Sequence, residues 1–546
     1  MMATLSDSLA RARAATADDR NIVVTAGAGT GKTTLLVNRL LHLLLHRAEP
    51  LPIGDIVALT FTNKAADEMK LRLRMRLSEL SANDLAAKAL HELEKSQIGT
   101  IHSFAAHLLR LYPIESRVDP GFQQDDGRQF DAFFQQEWVL WLDQELGSAG
   151  AHDDIWRVVL SLVTLEELQE LARGFVGELI PMDDMLDLAL DLEHLSPSIR
   201  EWLLHQARTA SDLRRTHPKT NTFERMLEDA ATYLDRFARQ QRCTAPESLN
   251  REAPPITTQW ERDDYEQAKR IIRVAQGVAA VRLDVLKPMV HLIVPFAREC
   301  RRRFVLTGYI SFDGLVARAR NLLRDHPRIR RELKRQFRSI LVDEFQDTDP
   351  VQYEMILYLA EAAGGEASDW RTIRLEPGKL FIVGDPKQSI YAFRRADMEA
   401  YDTVVEDHVL AQTPSGERHA LHTNFRSHAA LLASINGFFA RMFPEQSIKG
   451  IQPRYDPLLS RDTQIPLPGE QMEIRLVRPD GLDADADTAG RAEADELARW
   501  LREEVFEREE IHEHGVPVKI RPGHVAILFR TLTDMRDYLE ALRRYR

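Results

Sequence analysis

The feature that most constrains this chain is a glycine-rich stretch near its start, Asn21 to Thr34, with the sequence NIVVTAGAGTGKTT. A β-branched run leads into small residues and glycines, and a long apolar segment follows, which predicts a strand, a tight loop and a helix. Such a loop turns backbone N–H groups toward an anion at a helix N-terminus, where the helix dipole favours negative charge. We therefore expect a phosphate-binding loop; the alternative is a glycine-rich connection that binds nothing.

Two side chains of this loop have separate roles in phosphate recognition. Lys32 is expected to reach the β- and γ-phosphates of a nucleotide, and the Thr33 hydroxyl is expected to hold Mg²⁺. Ala26 stands where the usual pattern has its first glycine. The complete candidate nucleotide-binding set in the loop is Ala26, Gly27, Ala28, Gly29, Thr30, Gly31, Lys32, Thr33 and Thr34.

Composition limits the class of protein and its compartment. The chain has 546 residues, enough for about three or four domains, and it contains no apolar run long enough to span a bilayer and no signal-peptide core. Its two cysteines, Cys243 and Cys300, lie far apart, which indicates a reducing, cytoplasmic setting without a disulfide framework. Because the net charge is −12, any binding of nucleic acid must come from local patches.

The arrangement of predicted elements indicates an α/β fold with a helical insertion. Strands are predicted at 55–62 and at 97–104, where QIGTIHSF ends in a polar turn containing His102. From about 114 to 300 the pattern becomes mostly helical, and we expect its tryptophans to lie in a core. Alternation of strand and helix resumes near 304, which is typical of βα units in a parallel sheet.

A pair of carboxylates follows the apolar strand Ile340–Val342. Asp343 and Glu344 stand at the C-terminal end of that strand, where Asp343 is expected to hold Mg²⁺ and Glu344 to polarise an attacking water. The alternative is a solvated acidic turn.

A second apolar strand precedes the sequence GDPKQSIYAFRR. Gln388 in this stretch is expected to sense a γ-phosphate or to orient a water. Tyr391, Phe393 and Arg394 combine aromatic and basic side chains, the mixture that holds single-stranded nucleic acid by stacking. Taken alone, such aromatics belong to a core more often, and a lone Arg426 further along is more often a surface charge.

The motifs together resemble those of the UvrD/RecB-like superfamily 1 DNA helicases, and the match is closer to the RecB/AddA branch. The matching strings, in the family's order, are AGAGTGKT, ALTFTNKAADEM, GTIHSF, ILVDEFQDTDPVQ, IVGDPKQSIYAFRRAD, HTNFRS and HVAILFRTLTDMRDYLEAL. They cover roughly residues 5–112 and 304–546, and the phrase GYISFDGLVARARNLL (308–323) and the helical insertion favour this branch.

The resemblance implies an architecture of RecA-like P-loop parallel sheets flanked by helices, with a large helical insertion domain. It divides the chain into a first RecA-like ATPase domain in two parts, an insertion domain and an incomplete second RecA-like domain. The corresponding ranges are 1–113 and 301–400 for the first domain, 114–300 for the insertion and 401–546 for the second domain.

The resemblance also assigns roles to single residues. Lys32 and Thr33 are similar to the family's phosphate and Mg²⁺ contacts, Asp343 to its metal-side carboxylate and Glu344 to its catalytic base. Gln388 resembles the γ-phosphate sensor, Arg426 one of two arginines that stabilise the transferred phosphoryl group from the second domain, and Phe425 the aromatic that stacks on adenine. The positions similar to the family's contacts with single-stranded DNA are Phe61, Asn63, His102, Tyr391, Phe393 and Arg394.

The chain departs from the family pattern in three places. Arg11 stands where relatives carry a Gln that recognises adenine, which leaves the preference for ATP over other nucleotides open. Arg395 stands where many relatives have a Gly, and we expect this position to tolerate the change. The later motifs, including the second phosphate-sensing arginine, are expected beyond Arg546. We therefore expect the N-terminal portion of a longer protein, which binds ATP·Mg²⁺ and single-stranded DNA, hydrolyses ATP poorly and does not unwind duplex.

The resemblance implies an ATP-dependent 3′–5′ DNA helicase or translocase that acts in repair or recombination. Its expected partners are single-stranded DNA, duplex junctions and a helicase–nuclease partner subunit, with no membrane. The alternatives are an ATP-binding switch subunit of a repair or defence complex without unwinding activity, and a P-loop protein of another class such as a GTPase or kinase. A further alternative is that the insertion binds a protein rather than duplex DNA. Basic clusters such as 328–338 are more often solvated helix faces than DNA-binding surfaces.

Overall fold

A computed structural model of the chain describes residues 7–147, 152–177, 197–217, 222–241, 243–254, 260–280, 283–461, 472–478, 485–513 and 516–545. Its strands are β1 (Ile22–Ala26), β2 (Ile56–Thr60), β3 (Gln97–Thr100), β4 (Gln123–Asp125), β5 (Tyr309–Ser311), β6 (Ser339–Val342), β7 (Leu380–Gly384), β8 (Glu417–Leu421), β9 (Thr423–Asn424), β10 (Leu459–Ser460), β11 (Glu510–Glu513) and β12 (Val516–Lys519).

Helices supply most of the remaining regular structure. They are α1 (Ser8–Thr16), α2 (Lys32–Leu41), α3 (Asn63–Glu79), α4 (Asp84–His91), α5 (Ile101–Leu111), α6 (Arg128–Glu145), α7 (Asp153–Leu160), α8 (Leu165–Val176), α9 (Pro197–Thr216), α10 (Thr222–Ala238), α11 (Arg262–Ala280), α12 (Leu283–Leu306), α13 (Phe312–Asp325), α14 (Pro327–Gln336), α15 (Pro350–Ala360), α16 (Met398–Asp402), α17 (Ala429–Met442), α18 (Ala486–Trp500) and α19 (Met535–Arg544). No helix in the part of the chain that the structure describes is long and apolar enough to cross a membrane.

The central feature is a six-stranded sheet with the strand order β3-β2-β6-β7-β1-β8. Every neighbouring pair in it is parallel. Parallel strands require crossover connections, which helices supply on both faces of the sheet. The predicted α/β class, with a parallel sheet flanked by helices, is confirmed.

The two faces of this sheet bury two separate apolar clusters. Alternate residues of each strand point to opposite faces, so Val23 joins one cluster while Ile22 and Val24 join the other. The first cluster includes α5, α13 and α15, and the second includes α1, α2, α3 and α4. Because helices cover both faces of the sheet, the sequences of its strands are continuous runs of β-branched and aliphatic residues.

The described residues between β4 and β5 form helices α6 to α12 with short irregular connections, such as residues 243–246 and 251–254, and they contain no strand. Trp138 and Trp156 are buried in one apolar cluster and Trp260 in another, as expected of core tryptophans, whereas Trp202 is about half exposed. Both cysteines are free thiols. The domain limits proposed from the sequence stay a prediction.

One strand lies outside the domain in which the sequence placed it. We expected residues 401–546 to belong to a second domain, yet β8 pairs in parallel with β1 over the whole length of both strands. The segment that carries Phe425 and Arg426 therefore leaves the same sheet as the glycine-rich loop. Sequence pattern alone cannot reveal this, because a short strand carries no signal of which sheet it joins.

Residues His428–Gly437 and Thr463–Arg546 form a second compact unit. In it, α18 and α19 pack through Ala494, Ala498 and Ala541, and β11 and β12 form an antiparallel pair. We expected the string HVAILFRTLTDMRDYLEAL to begin with a strand, and this is wrong: residues 525–529 have no regular secondary structure and pair with no strand among the described residues, and Leu528 is exposed. A segment becomes a strand only when a neighbour takes up its N–H and C=O groups.

The basic cluster at 328–338 is not simply a solvated helix face. Arg330 and Lys334 of α14 are buried, and both form ion pairs with the buried Glu361, at 3.5 and 2.9 Å. Lys334 Nζ also donates to the backbone oxygens of Ala362 and Gly365. The expectation failed because charge counts do not reveal which cations meet a buried carboxylate.

Candidate nucleotide and nucleic-acid site

The candidate residues collect at one edge of the sheet. The register aligns Thr25 with Gly384, Leu59 with Val342, and Thr60 with Thr100. The loops that follow β1, β2, β3, β6 and β7 consequently leave the sheet on the same side, its carboxyl edge. In open α/β sheets this edge is where ligands bind.

The glycine-rich loop has the backbone that a phosphate cradle needs. Gly29 and Gly31 have φ angles of 73° and 83°, in the left-handed region that favours glycine. The buried Thr30 hydroxyl donates to the Gly27 oxygen at 2.8 Å and closes the loop. Lys32 is the first residue of α2. The N–H groups of the first helical turn, which have no partner within the helix, therefore lie next to the loop.

The loop is held by the segment that follows β8. The Asn424 side-chain amide donates to the Ala28 oxygen at 2.7 Å, and the Phe425 N–H donates to the Gly29 oxygen at 2.8 Å. A Cβ on Gly29 would lie 2.8 Å from the Cβ of Arg426. The candidate arginine therefore sits beside the phosphate loop, and its own side chain is exposed.

An open cavity of about 460 Å³ lies next to the loop. Phe425 and Gly31 line it, together with Arg11, Ala12, Ala15, Thr34, Leu35 and Asn38. Phe425 is 42% exposed, so part of its ring is open to solvent. A nucleotide base is a flat aromatic group of suitable size for this cavity.

Arg11 does not stand free in this cavity. Its guanidinium donates to the Asp7 carboxylate at 2.7 and 2.9 Å and to the Thr30 oxygen at 2.8 Å, and it lies 5.0 Å from the centre of the Phe425 ring. It also donates to the Thr423 oxygen at 3.3 Å. Arginine is a donor only, so Arg11 ties α1 to the loop instead of offering the mixed donor and acceptor edge of a glutamine.

The catalytic candidates meet at the end of β6. Lys32 Nζ lies 2.7 Å from the Glu344 carboxylate, which joins the loop after β1 to the loop after β6. The Glu344 N–H donates to Asp343 Oδ1 at 3.0 Å. Glu344 has a φ of 50°, an unusual backbone conformation for a residue with a side chain, and such outliers cluster at functional sites.

Burial and crowding of like charges shift two carboxyl groups here. Burial, with the nearby Glu344, raises the pKa of Asp343 to about 6 and that of Asp347 to about 7. Each shift means that the ionised carboxylate lacks a full set of positive partners. A divalent cation would supply the missing charge, so the donor set at this edge fits Mg²⁺.

Thr33 and Asp343 are the residues suited to hold that ion. Among the described residues, no cluster of three or more His, Cys, Asp and Glu forms a metal site. Magnesium commonly takes one or two protein oxygens and completes its shell with substrate phosphates and water. A hydroxyl and one carboxylate beside a phosphate loop match that pattern.

Gln388 lies in the turn after β7. Its side-chain amide donates to Asp385 Oδ2 at 2.6 Å, and the other oxygen of the same carboxylate pairs with Lys387 Nζ at 3.0 Å. Asp385 itself is buried. Gln388 is thus oriented by a fixed carboxylate at the same sheet edge as Glu344.

Four of the six DNA-binding candidates lie together, three rings that form an aromatic surface and one arginine beside them. The ring centres of Phe61 and Tyr391 are 5.0 Å apart, and those of Tyr391 and Phe393 are 5.6 Å apart. The Arg394 guanidinium lies 5.9 Å from the Tyr391 ring centre, and Phe393 is 79% exposed. Phe61 and Tyr391 are half-buried. A cluster of rings that reaches the surface beside a cation is suited to stack bases and to attract phosphates. Asn63, exposed at the first position of α3, follows Phe61 closely in the chain.

His102 lies in a helix and not in the predicted turn. β3 ends at Thr100, whose hydroxyl accepts the Ser103 N–H at 3.1 Å and starts α5 at once. The ring centres of His102 and Phe312 are 3.8 Å apart, with the ring planes tilted by 36°. Burial, reinforced by Arg395 and Arg394, lowers the pKa of His102 to about 4, so the imidazole is neutral at pH 7.

Sequence reasoning missed three contributors. Gln346 links Glu344 to the turn after β7, Asn424 holds the glycine-rich loop, and Phe312 pairs with His102. All three stand inside strings that were singled out, DEFQDTD, HTNFRS and GYISFDG. Their position within those strings was the available signal that they contribute to the site. Their roles could not be predicted, because the groups that they contact lie in other parts of the chain.

Comparison with known proteins places this geometry in a family. The family described as UvrD/REP helicase N-terminal domain matches residues 8–408. The A subunit of the ATP-dependent helicase/nuclease of Listeria monocytogenes serotype 4b (strain F2365) is 26% identical over 490 residues, which cover 79% of this chain and 39% of that relative.

Two further relatives carry the same name. The protein of Natranaerobius thermophilus is 25% identical over 500 residues, covering 79% of this chain and 37% of its own length. That of Bacillus cereus (strain AH187) is 24% identical over 497 residues, with coverages of 80% and 39%. The chain spans about two fifths of the length of the curated relatives that it matches.

Proposed function

We propose, from the premise that this chain belongs to the UvrD/REP helicase family, that it is the ATP-driven part of a DNA helicase. In this proposal it moves 3′ to 5′ along single-stranded DNA and serves repair or recombination. The activity of the whole protein is part of the proposal, because the chain spans about two fifths of its relatives.

One observation carries the proposal. Lys32 and Glu344 meet at 2.7 Å on the same sheet edge at which Phe61 and Tyr391 form an aromatic surface. A phosphate site and a base-stacking surface that share one edge support the coupling of ATP hydrolysis to movement on DNA. A GTPase or kinase has no use for the second surface.

The residues at the loop prepare the γ-phosphate for transfer to water. Lys32 exchanges its contact with Glu344 for the phosphate oxygens and offsets their charge, and the freed Glu344 carboxylate accepts a proton as water attacks phosphorus. The bond to the ADP oxygen breaks as the new bond forms. Mg²⁺, held by Thr33 and Asp343, supplies charge neutralisation on the phosphates.

Two residues after β8 complete the nucleotide site in this proposal. Phe425 stacks on the base in the cavity beside Gly31, and Arg426 offsets phosphoryl charge from its place beside Gly29. Gln388, fixed by Asp385, reports whether a γ-phosphate is present. We assign the base site to ATP, with Arg11 in a clamping role.

The DNA side of the proposal uses stacking and neutral contacts. Tyr391, Phe393 and Phe61 receive successive bases, and Arg394 attracts the phosphates. Asn63 and the neutral His102 contact the strand beside them.

We also propose that the chain works inside a larger assembly. Relatives that cover the same 79–80% of this chain are named as one lettered subunit of a helicase/nuclease, and such a name implies a partner. We infer a nuclease and a partner subunit in the same assembly, which acts where duplex and single strand meet. The alternative of an ATP-binding switch subunit shares the nucleotide site but not strand movement.

Binding of Mg·ATP and of a labelled single-stranded oligonucleotide tests the proposal on the chain as it stands. We expect Lys32→Ala to weaken Mg·ATP binding by about tenfold or more, the loss of one charge-assisted phosphate contact, and to leave oligonucleotide binding in place. Lys88→Ala, at an exposed lysine of α4, is the control and leaves both unchanged.

Either of two results would contradict it: wild-type Mg·ATP affinity in Lys32→Ala, or no binding of single-stranded DNA by the wild-type chain. Displacement of streptavidin from oligonucleotides biotinylated at the 5′ or 3′ end then tests movement. Faster release from the 5′ end supports 3′–5′ translocation, and no release with intact ATP binding favours the switch subunit.

A further inference from the structure

Gln346 is a buried polar residue in the turn between the ATP-hydrolysing and DNA-facing loops. It follows Glu344 by two positions, in the turn Phe345–Asp347 after β6, and only 1% of it is exposed. Buried amide side chains are held by hydrogen bonds, and an unpaired one is costly. The partners of Gln346 therefore indicate what its position depends on.

One end of the Gln346 side chain faces the catalytic carboxylate. Its Nε2 donates to Glu344 Oε2 at 3.0 Å and to Asp347 Oδ2 at 3.2 Å. Lys32 is the other polar partner of that Glu344 carboxylate. When Lys32 turns to the phosphates, the amide of Gln346 is the contact that continues to orient Glu344.

The other end of the same amide faces the turn after β7. Its Oε1 accepts the Asp385 N–H at 2.9 Å, and the Gln346 backbone oxygen accepts the Ser389 hydroxyl at 3.3 Å. Because a backbone N–H can only donate, the orientation of the amide is fixed by chemistry. A Cβ on Gly384 would lie 2.6 Å from Oε1, so this close approach depends on a glycine there.

The turn after β7 leads directly into the aromatic surface. Asp385 holds Gln388 and Lys387 through its two oxygens, and Ser389 follows at once. Tyr391 is two residues beyond Ser389 and contacts Phe61. A base that stacks on Tyr391 would therefore contact a segment whose start is bonded to Gln346.

We propose that Gln346 is a positioning residue that couples occupancy of the aromatic surface by single-stranded DNA to the orientation of Glu344. This inference rests on the proposed function and adds the residue that connects its two halves. A planar amide bonded at both ends cannot follow one partner without moving relative to the other. The coupling is reciprocal by thermodynamic linkage, so bound nucleotide must change DNA affinity by the same factor by which DNA changes nucleotide affinity.

Binding linkage tests this proposal independently of the rate of hydrolysis. The dissociation constant of a fluorescent oligo-dT is measured by anisotropy with and without saturating Mg²⁺ and a non-hydrolysable ATP analogue. We expect a change of about fivefold or more in the wild type and of less than about twofold in Gln346→Met and Gln346→Glu. Each variant keeps the length of the side chain; Gln346→Met removes both bonds, and Gln346→Glu keeps an acceptor for Asp385 but loses the donor to Glu344.

A matched control exists elsewhere in the chain. The Gln412 amide is likewise bonded at both ends, in this case to two backbone groups, donating to the Ile373 oxygen at 2.7 Å and accepting the Leu375 N–H at 2.8 Å. Gln412→Met removes a comparable bridge away from the site, and we expect it to keep the wild-type coupling factor even if its melting temperature falls. A purely structural role of Gln346 would make the two Met variants alike.

The possible outcomes distinguish a failure of this inference from a failure of the proposed function on which it rests. An unchanged coupling factor in both Gln346 variants, or a wild-type factor of one with both ligands bound, overturns the inference. Failure of the wild type to bind either ligand contradicts the proposed function instead. If Gln346→Met does not fold, Gln346→Glu alone decides, because it keeps the bond to Asp385.

Discussion

Glu344 stands in a backbone conformation that few residues with a Cβ adopt. Its φ of 50° costs on the order of 1 kcal/mol, and the Asp343 carboxylate and the Gln346 amide hold it in place. The conformation turns the carboxylate toward Lys32 instead of along the strand. The strain is offset by surrounding contacts, which is typical of a residue whose orientation matters for chemistry.

His102 makes folding sensitive to pH. Its pKa is about 4 in the folded chain, against about 6.5 when exposed. Below pH 6.5 the unfolded chain takes up a proton at His102 that the folded chain rejects, so the contribution of His102 to stability is fully present above pH 6.5 and is lost as the pH drops toward 4. Between pH 7 and pH 5 this amounts to up to about 2 kcal/mol of unfolding free energy, measurable by urea titration.

His102→Asn supplies the comparison for that experiment. It cannot titrate in this range, so its unfolding free energy should fall less between pH 7 and pH 5 than that of the wild type. An identical fall in both proteins would show that other groups cause the pH dependence.

Tyr391 can be tested as a stacking residue. We expect Tyr391→Ala to weaken binding of single-stranded DNA by about 1–3 kcal/mol, the usual contribution of one aromatic–base stack, with little change in melting temperature. Fluorescence anisotropy with an oligo-dT measures the affinity. Phe438, another exposed aromatic, gives the control variant Phe438→Ala, which should bind as the wild type. Unchanged affinity with a lowered melting temperature would mark Tyr391 as a core residue.

At the scale of single elements, the glycine-rich loop depends on the segment after β8. Asn424 and Phe425 bond the loop oxygens, and Gly29 has no room for a side chain against Asn424, whose amide nitrogen would lie 2.7 Å from its Cβ. The loop is therefore a two-part structure. Strand β1 delivers it, and the segment after β8 fixes its shape.

Gly29→Ala tests that dependence. The positive φ and the contact with Asn424 should together lower the unfolding free energy by about 1–3 kcal/mol and weaken Mg·ATP binding, as measured by thermal melting and calorimetry. Gly54→Ala is the matched control, because a Cβ on Gly54 meets nothing within 4 Å. Equal behaviour of the two variants would mean that the loop tolerates a side chain at Gly29.

Helix α14 depends on a buried carboxylate. Glu361 is the acidic partner of both Arg330 and Lys334, all three of them buried. Glu361→Gln leaves two buried cations without their counter-charge and should cost about 3–5 kcal/mol of unfolding free energy. Glu366→Gln breaks the exposed pair with Arg331 at 3.2 Å and should cost less than about 1 kcal/mol. Similar losses in urea titrations of the two variants would contradict the assignment.

At the scale of the whole molecule, the sequence predicted the class of fold because its signals are local. Continuous apolar strands such as Ile340–Val342, alternating with helices, predict an α/β fold with a parallel sheet. That class of fold and the family are confirmed. The residue roles and the domain limits stay predictions.

The errors have a common physical cause, which is that partners distant in sequence decide the outcome. β8 joins the first sheet because β1 offers an open edge, and Arg330 is buried because Glu361 receives it. His102 enters a helix because the Thr100 hydroxyl caps it. None of these contacts is visible in the local pattern that was used to predict each segment.

Steady-state ATP hydrolysis with and without single-stranded DNA, beside Glu344→Gln, tests the central claim most directly. The account predicts that single-stranded DNA raises the wild-type rate and that Glu344→Gln, which still binds Mg·ATP, loses about 10²–10⁴-fold in turnover because it lacks the base. A wild-type rate that does not respond to DNA, or a Glu344→Gln rate equal to it, would contradict the claim that this sheet edge is a DNA-driven ATPase.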